Sequence, residues 1–310
     1  MKRLAVSLAI KAKLKRHEGL FLSLDPTRID IDEVAVEFFS VIGKRTFLFA
    51  EDIVRETGPF TPFAERNAIS VRDVLVGNFS FLGLHNEKID QMGAWNVDWR
   101  SHKAWPQQLY PFLLPIETNL LGSGPPFKDI KIPWELSLFQ HLVPLAQQYV
   151  LTNDESLVVE IVRQLEDWID SNTYLYGIHW TVAMEVALRS IAWLTILGWT
   201  AHSPSYTKQF RRKIVISLLQ HAEFVISHLE KYTEGRRSNH LIADYAGLLF
   251  LGCAFRGMMT DAEMWYSLGR GGLCEEMAIQ VDKDGVCFES SIPYHRLVTE
   301  MFLFSQLLAR

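Results

Sequence analysis

From Pro133 to the end of the chain, apolar residues recur at helical spacing in one segment after another, and no other feature constrains the fold as tightly. Leu136, Phe139, Leu142, Val143, Leu145, Ala146 and Tyr149 predict a helix over residues 134–151. Val158, Ile161, Val162, Leu165, Trp168 and Ile169 fall on one stripe and predict a second over 155–169. The same periodicity predicts helices over 181–199, 205–229, 239–255 and 261–278, and a last one starting near Pro293. Connections are short and β-branched alternation is rare. Amphipathic helices on short links run antiparallel to their neighbours, so the fold class is all-α, built from consecutive helical hairpins. Such an array suits a closed or partly closed (α/α) toroid whose loops surround a cleft.

The residues before it, 1–130, read as an irregular N-terminal segment with an aromatic cluster, packed on a helical domain over 131–310. Within that segment Phe47–Phe49 and Phe79–Leu82 look like short extended pieces, and Ala68–Val76 like a helical turn or two. Leu121–Pro126 is rich in Gly and Pro and reads as a linker. Met1–His17 reads as a basic amphipathic helix rather than a secretory signal, which is cytoplasmic by sequence but leaves the location unknown. No run has the length of a membrane span. A formal charge of −5 gives no nucleic-acid surface. Cys253, Cys274 and Cys287 have neither an even count nor paired spacing, so neither a disulfide framework nor a metal cluster is expected, and no cofactor is called for.

Four groups of residues could carry chemistry. Trp95, Trp99 and Trp105, with Asp98 and Arg100 among them, offer flat indole faces for sugar rings, or plug a core beneath a long loop. Glu185 and Arg189 are spaced i, i+4 on an otherwise apolar helix, where an internal ion pair between helices is the favoured role. Arg236-Arg237-Ser238-Asn239-His240 precedes a helix start, with Ser238 or Asn239 as the cap and Asp244 and Tyr245 following on the apolar helix. Tyr294-His295-Arg296 crowds into the first turn of the last helix, behind Pro293 and the capping candidates Ser290 and Ser291. Backbone N–H groups and the helix dipole make both helix starts anion-friendly.

These motifs, in this order, resemble the heparinase II/III-like polysaccharide lyases. The resemblance rests on Ile132-Pro133-Trp134-Glu135-Leu136-Ser137 with Phe139-Gln140-His141, and on Trp180 with Met184-Glu185-Val186-Ala187-Leu188-Arg189. It continues through Ser238-Asn239-His240-Leu241, Ala243-Asp244 and Gly247-Leu248 to Asp284-Gly285, Glu289-Ser290 and Tyr294-His295-Arg296-Leu297. It implies an N-terminal (α/α) toroid, a following β-sandwich, and β-elimination of polysaccharides containing uronic acid, with an acidic polysaccharide or oligosaccharide as partner. Carried over, Asn239 neutralises the uronate carboxylate and Tyr294 serves in proton transfer. His240, His295, Arg296, Glu185, Arg189 and the three tryptophans would line the substrate site. A further catalytic histidine belongs to the β-sandwich, which this sequence does not contain.

Two other readings stand beside that one. A non-catalytic toroid would bind glycans or scaffold proteins, with Asn239 and Tyr294 serving as caps. A toroid glycoside hydrolase needs paired carboxylates; Glu185, Asp98 and Glu289 are candidates, but no pair is marked out. The chain closes on Leu307-Leu308-Ala309-Arg310 within an apolar helical run, without Gly or Pro. The expectation is therefore a chain truncated at its C-terminal end, inactive or weakly active alone. Asn239 and Tyr294 are expected to face one cleft, with Trp95, Trp99 and Trp105 along it.

Overall fold

A computed structural model describes residues 29–46, 61–89, 94–110, 129–231 and 237–309. The Met1–His17 helix, the extended piece at Phe47–Phe49, the Leu121–Pro126 linker and Arg236 lie outside these described residues. The chain runs through helices α1 (Ile31–Val41) and α2 (Thr61–Leu75), and hairpins β1 (Asn78–Phe81)–β2 (Leu84–Lys88) and β3 (Val97–Asp98)–β4 (Lys103–Ala104). Helices α3 (Lys131–Ser137), α4 (Val143–Thr152), α5 (Glu155–Ser171), α6 (Ala183–Trp199) and α7 (Lys208–Ser227) follow. The last are α8 (Asn239–Phe255), α9 (Thr260–Gln280) and α10 (Ile292–Leu308). The fold is all-α, an (α/α) toroid of antiparallel hairpins.

Helix α8 is its central element. Its residues are apolar on every side, and almost all from Leu241 to Phe255 are buried. A helix of that kind must be enclosed by others. Helices α6, α7, α9 and α10 all pack on it. The α8–α9 contact is close because glycines face backbone: a Cβ on Gly269 would lie 2.5 Å from Leu249 N and 2.6 Å from Tyr245 O. Beside α8, a second core fills around Phe139, Trp168, Trp193 and Phe224, with Trp168 and Trp193 edge to face at 5.4 Å.

Local chemistry sets the helix starts. Asp30 accepts from the backbone N–H groups of Asp32 and Glu33, Asp154 from that of Ser156, and Thr207 from that of Phe210, which satisfies first-turn donors of α1, α5 and α7. The helix predicted over 134–151 is broken in two. Phe139 takes a left-handed conformation at φ 61°, a 3-10 turn follows over 140–142, and Pro144 restarts the helix at its first turn. The aromatic ring of Phe139, fully buried against Trp95, Trp168 and Trp193, holds that backbone in place.

Two helices stand in the segment read as irregular: α1, and α2, which extends the helical turn or two expected at Ala68–Val76 back to Thr61. Helix α1 packs on α7 and sends Phe38 into the core, where it stacks on Phe255 at 5.0 Å; α2 packs on α4. The extended piece expected near Phe79 is β1, paired antiparallel with β2 through Phe79–Glu87 and Phe81–Leu84.

Candidate active site at the start of α8

Ser238 occupies the position before α8 but its hydroxyl caps nothing. The cap comes from fifty residues further on. The Glu289 carboxylate accepts from Asn239 N at 2.7 Å, and from Asn239 Nδ2 at 3.0 Å and 2.8 Å through its two oxygens. Asn239 is buried, and its Oδ1 is enclosed with no partner among the described residues. Helix α9 braces the same start: Gln280 Nε2 donates to Ser238 O and to Glu276, and Glu276 pairs with Arg237.

His240 follows. Its Nδ1 lies 2.6 Å from Glu230 Oε2. Burial opposes the imidazolium, but the hydrogen bond to Glu230 and the charges of Glu230, Glu185 and Glu289 overcome it and raise the pKa above the usual 6.5. Glu230 is itself fixed, its backbone N–H donating to Asp244 Oδ2 at 2.8 Å. Burial first, then the Glu230 charge, holds the Asp244 carboxyl well above the usual range. On α6, burial pushes the half-buried Glu185 up to about 7, against the pull of Arg189 and His240. The charge of Glu135 on α3 also reaches Glu185, and Glu135 lines a cleft of about 300 Å3 with His141 and Phe79. The start of α8 thus combines amide and imidazole donors with a set of carboxylates, an arrangement suited to binding one anion and moving a proton.

The other residues singled out in the sequence fall in several places. Tyr294 is 43% exposed in the first turn of α10, five residues after Glu289. Ser291 holds the position before α10 but makes no side-chain cap, and Pro293 sits in the first turn as the sequence suggests. His295 is half-buried, its Nδ1 accepting from Cys287 N at 3.4 Å, so it ties its own loop together. Arg296 projects outward and approaches Glu300 at 3.8 Å.

The internal ion pair expected of Glu185 and Arg189 does not form. Arg189 is 1% exposed; its Nε donates to His221 Nε2 at 2.8 Å and a terminal nitrogen to His179 O at 3.2 Å. Its guanidinium lies 4.3 Å over the Trp168 ring. Long reach and a flat cation draw Arg189 into the aromatic core, away from the one-turn neighbour that spacing alone suggests.

The tryptophans separate as well. Trp95 is buried against Phe139, its indole N–H donating to Asp167 Oδ2 at 2.6 Å, and it forms one wall of a cleft of about 360 Å3 with Glu160 and Arg163. Trp105 is buried in a small cluster with Ile130 and Ile178. Trp99 is half-buried and keeps accessible surface. Asp98, a hydrolase candidate, is fully buried and accepts from Arg100 N, Ser101 Oγ and Asp129 N; it staples its loop.

Glu230, the partner of His240 and Asp244, is the residue here that sequence reading missed. Ten positions before His240 and outside any periodic segment, it carries no local signal. Glu289 was visible as a motif member and as a hydrolase candidate but not as a cap, since a cap supplied from fifty residues away leaves no trace in local spacing.

The family model for the heparinase II/III N-terminus matches residues 79–310. A heparin-sulfate lyase of Pedobacter heparinus is 29% identical over 187 residues, covering 57% of this chain and 27% of the relative. One of Bacteroides stercoris is 23% identical over 197 residues, covering 57% and 29%. Among solved structures, heparan sulfate lyase HepC from Pedobacter heparinus superposes with a TM-score of 0.57 at 22% identity, over 79% of this chain and 34% of that one. A heparinase III gene product gives 0.55 at 20% identity, over 79% and 36%. The chain therefore spans about a third or less of these relatives' length. With three quarters of its residues on the family model and the toroid shared with these structures, the chain belongs to the heparinase II/III family of polysaccharide lyases.

Proposed function

We propose that the chain is the toroid part of a lyase that cleaves an acidic polysaccharide containing uronic acid, of the heparan sulfate type, by β-elimination. The observation that carries this reading is the bond between Asn239 and Glu289. The start of α8 already presents a backbone N–H and a side-chain amide to a carboxylate. A uronate carboxylate takes that place on the Asn239 amide, and helix dipole and imidazolium add to its binding.

The chemistry follows from the substrate. The C5 proton is acidic only if the charge that builds on the neighbouring carboxylate is stabilised, which is what donors from Asn239 and His240 supply. The C5 proton passes to the pair formed by Tyr294 and the histidine the family resemblance implies; the C5–H electron pair forms the C4–C5 double bond as the C4–O4 bond breaks, and O4 leaves with a proton from the same pair. Tyr294, solvent-accessible at the start of α10, is the proposed proton-transfer group. Trp99 is the tryptophan with surface left for a neighbouring sugar ring. A histidine supplied by a β-sandwich domain, as the family resemblance implies, completes the transfer.

A second reading draws on the same bond. If Glu289 never yields Asn239, the contact is purely a cap, and the toroid binds glycans or proteins without chemistry. The experiment is incubation of the chain with heparan sulfate, following the unsaturated uronate product by its ultraviolet absorbance, for the native chain, Asn239→Ala and Tyr294→Phe. Slow product formation lost in both variants supports the lyase. Equal product from all three, or a native chain that neither cleaves nor binds heparan sulfate, removes it.

A further inference from the structure

His240 and Asp244 lie one helical turn apart on α8, on one face, and both take hold of Glu230. Asp244 accepts the Glu230 backbone N–H at 2.8 Å, and His240 Nδ1 meets the Glu230 carboxylate at 2.6 Å. Glu230 stands three residues past the end of α7. It is therefore clamped at both backbone and side chain to the helix that opens with Asn239. An ionised carboxylate can only accept, so His240 Nδ1 must carry a proton. The ring is then oriented, and Nε2 has no partner among the described residues.

We propose that Glu230 is a positioning residue for carboxylate binding: it locks His240 with Nδ1–H on its own carboxylate and leaves Nε2–H as a second donor at the start of α8, with Asp244 anchoring Glu230 from behind. The proposal rests on the uronate-binding reading of this site. The charged groups that reach His240 come from three elements: Glu230 after α7, Glu185 on α6 and Glu289 before α10. All three favour the imidazolium. In that form both ring nitrogens donate, and a bound uronate gains a charge-assisted hydrogen bond. Glu230 touches neither substrate nor reacting atoms; it acts through the ring it holds.

The test follows the His240 imidazole by NMR in the whole chain labelled on histidine, assigned by loss of the signal in His240→Asn. The same samples are titrated with heparan sulfate oligosaccharides. In the native chain His240 should titrate above the usual 6.5, with Nδ1 protonated throughout. In Glu230→Gln the midpoint should fall, and oligosaccharide affinity should weaken about tenfold. Affinity in the native chain should decline as pH rises through the His240 midpoint, and that step should move with the midpoint in the variant. An unshifted midpoint in Glu230→Gln, with the native chain binding oligosaccharide, overturns this proposal alone. Failure of the native chain to bind any oligosaccharide overturns the functional reading and this proposal with it. If Glu230→Gln does not fold, the native spectrum above the midpoint decides: a neutral ring protonated on Nε2 with Nδ1 bare contradicts the proposal, and a neutral ring protonated on Nδ1 supports it.

Discussion

Glu289 caps α8 across fifty residues of sequence, its carboxylate accepting from both the backbone and the side chain of Asn239. This contact fastens the loop leading into α10 to the start of α8, so that the element carrying Tyr294 is tied to the one carrying Asn239. Glu289→Gln keeps the shape and removes the charge. It should cost about 1.5–3 kcal/mol of stability in chemical denaturation, the range for a hydrogen bond to a charged group. It should also raise oligosaccharide affinity, because the substrate carboxylate then displaces a weaker acceptor. Unchanged stability would mean that the cap is not formed in solution.

The α8–α9 crossing should be intolerant of a single methyl group. A Cβ at Gly269 meets backbone atoms of Leu249 and Tyr245 rather than a flexible side chain, so the helices must move apart. Gly269→Ala should destabilise by about 1–3 kcal/mol despite its better helix propensity. A stabilised Gly269→Ala protein would show that the helices pack less closely than described.

Arg189 gives a third expectation. Removing it leaves His221 Nε2 and His179 O without their donor and opens a space beside Trp168. Arg189→Ala should lose about 2–5 kcal/mol in denaturation, as large-to-small changes in a core do. A loss below that range would place Arg189 outside the core, nearer the substrate role first suggested by its motif.

The long helices were legible because burial on a toroid imposes a regular stripe. The predicted span 239–255 agrees with α8 at both ends, and 155–169 falls two residues short of α5. The break at Phe139 was not legible, since its cause is an aromatic ring locked among three others far away in sequence. The partners of Arg189 were hidden for the same reason. Of the site, Asn239, His240, Tyr294 and Glu289 could be named from resemblance, whereas the bonds of Glu289 to Asn239 and of Glu230 to His240 could not. Glu230 and Glu289 reach the start of α8 from loops, where no periodicity records a contact.

The pH dependence of stability should carry the mark of Glu185. Its carboxyl rises from 4.5 to about 7 in the fold, chiefly through burial. The folded chain thus holds this proton more tightly than the unfolded chain. The stabilisation is complete below the unfolded value and is lost as pH rises through the folded one. His240, also raised, changes in the same direction. Glu185→Gln cannot ionise, so its melting temperature should fall less than that of the native chain between roughly pH 5 and 8. Parallel curves for the two proteins would show that Glu185 is ionised throughout.

The most direct measurement compares binding of heparan sulfate oligosaccharides with their carboxyl-reduced counterparts by titration calorimetry, for the native chain and Asn239→Ala. Carboxyl reduction leaves sulfates and ring shape in place and removes only the group that the start of α8 is held to recognise. Binding of the carboxylated oligosaccharide, lost on reduction and lost in Asn239→Ala, is the expected result. Equal affinity for both forms, or full affinity in Asn239→Ala, would contradict carboxylate recognition at Asn239.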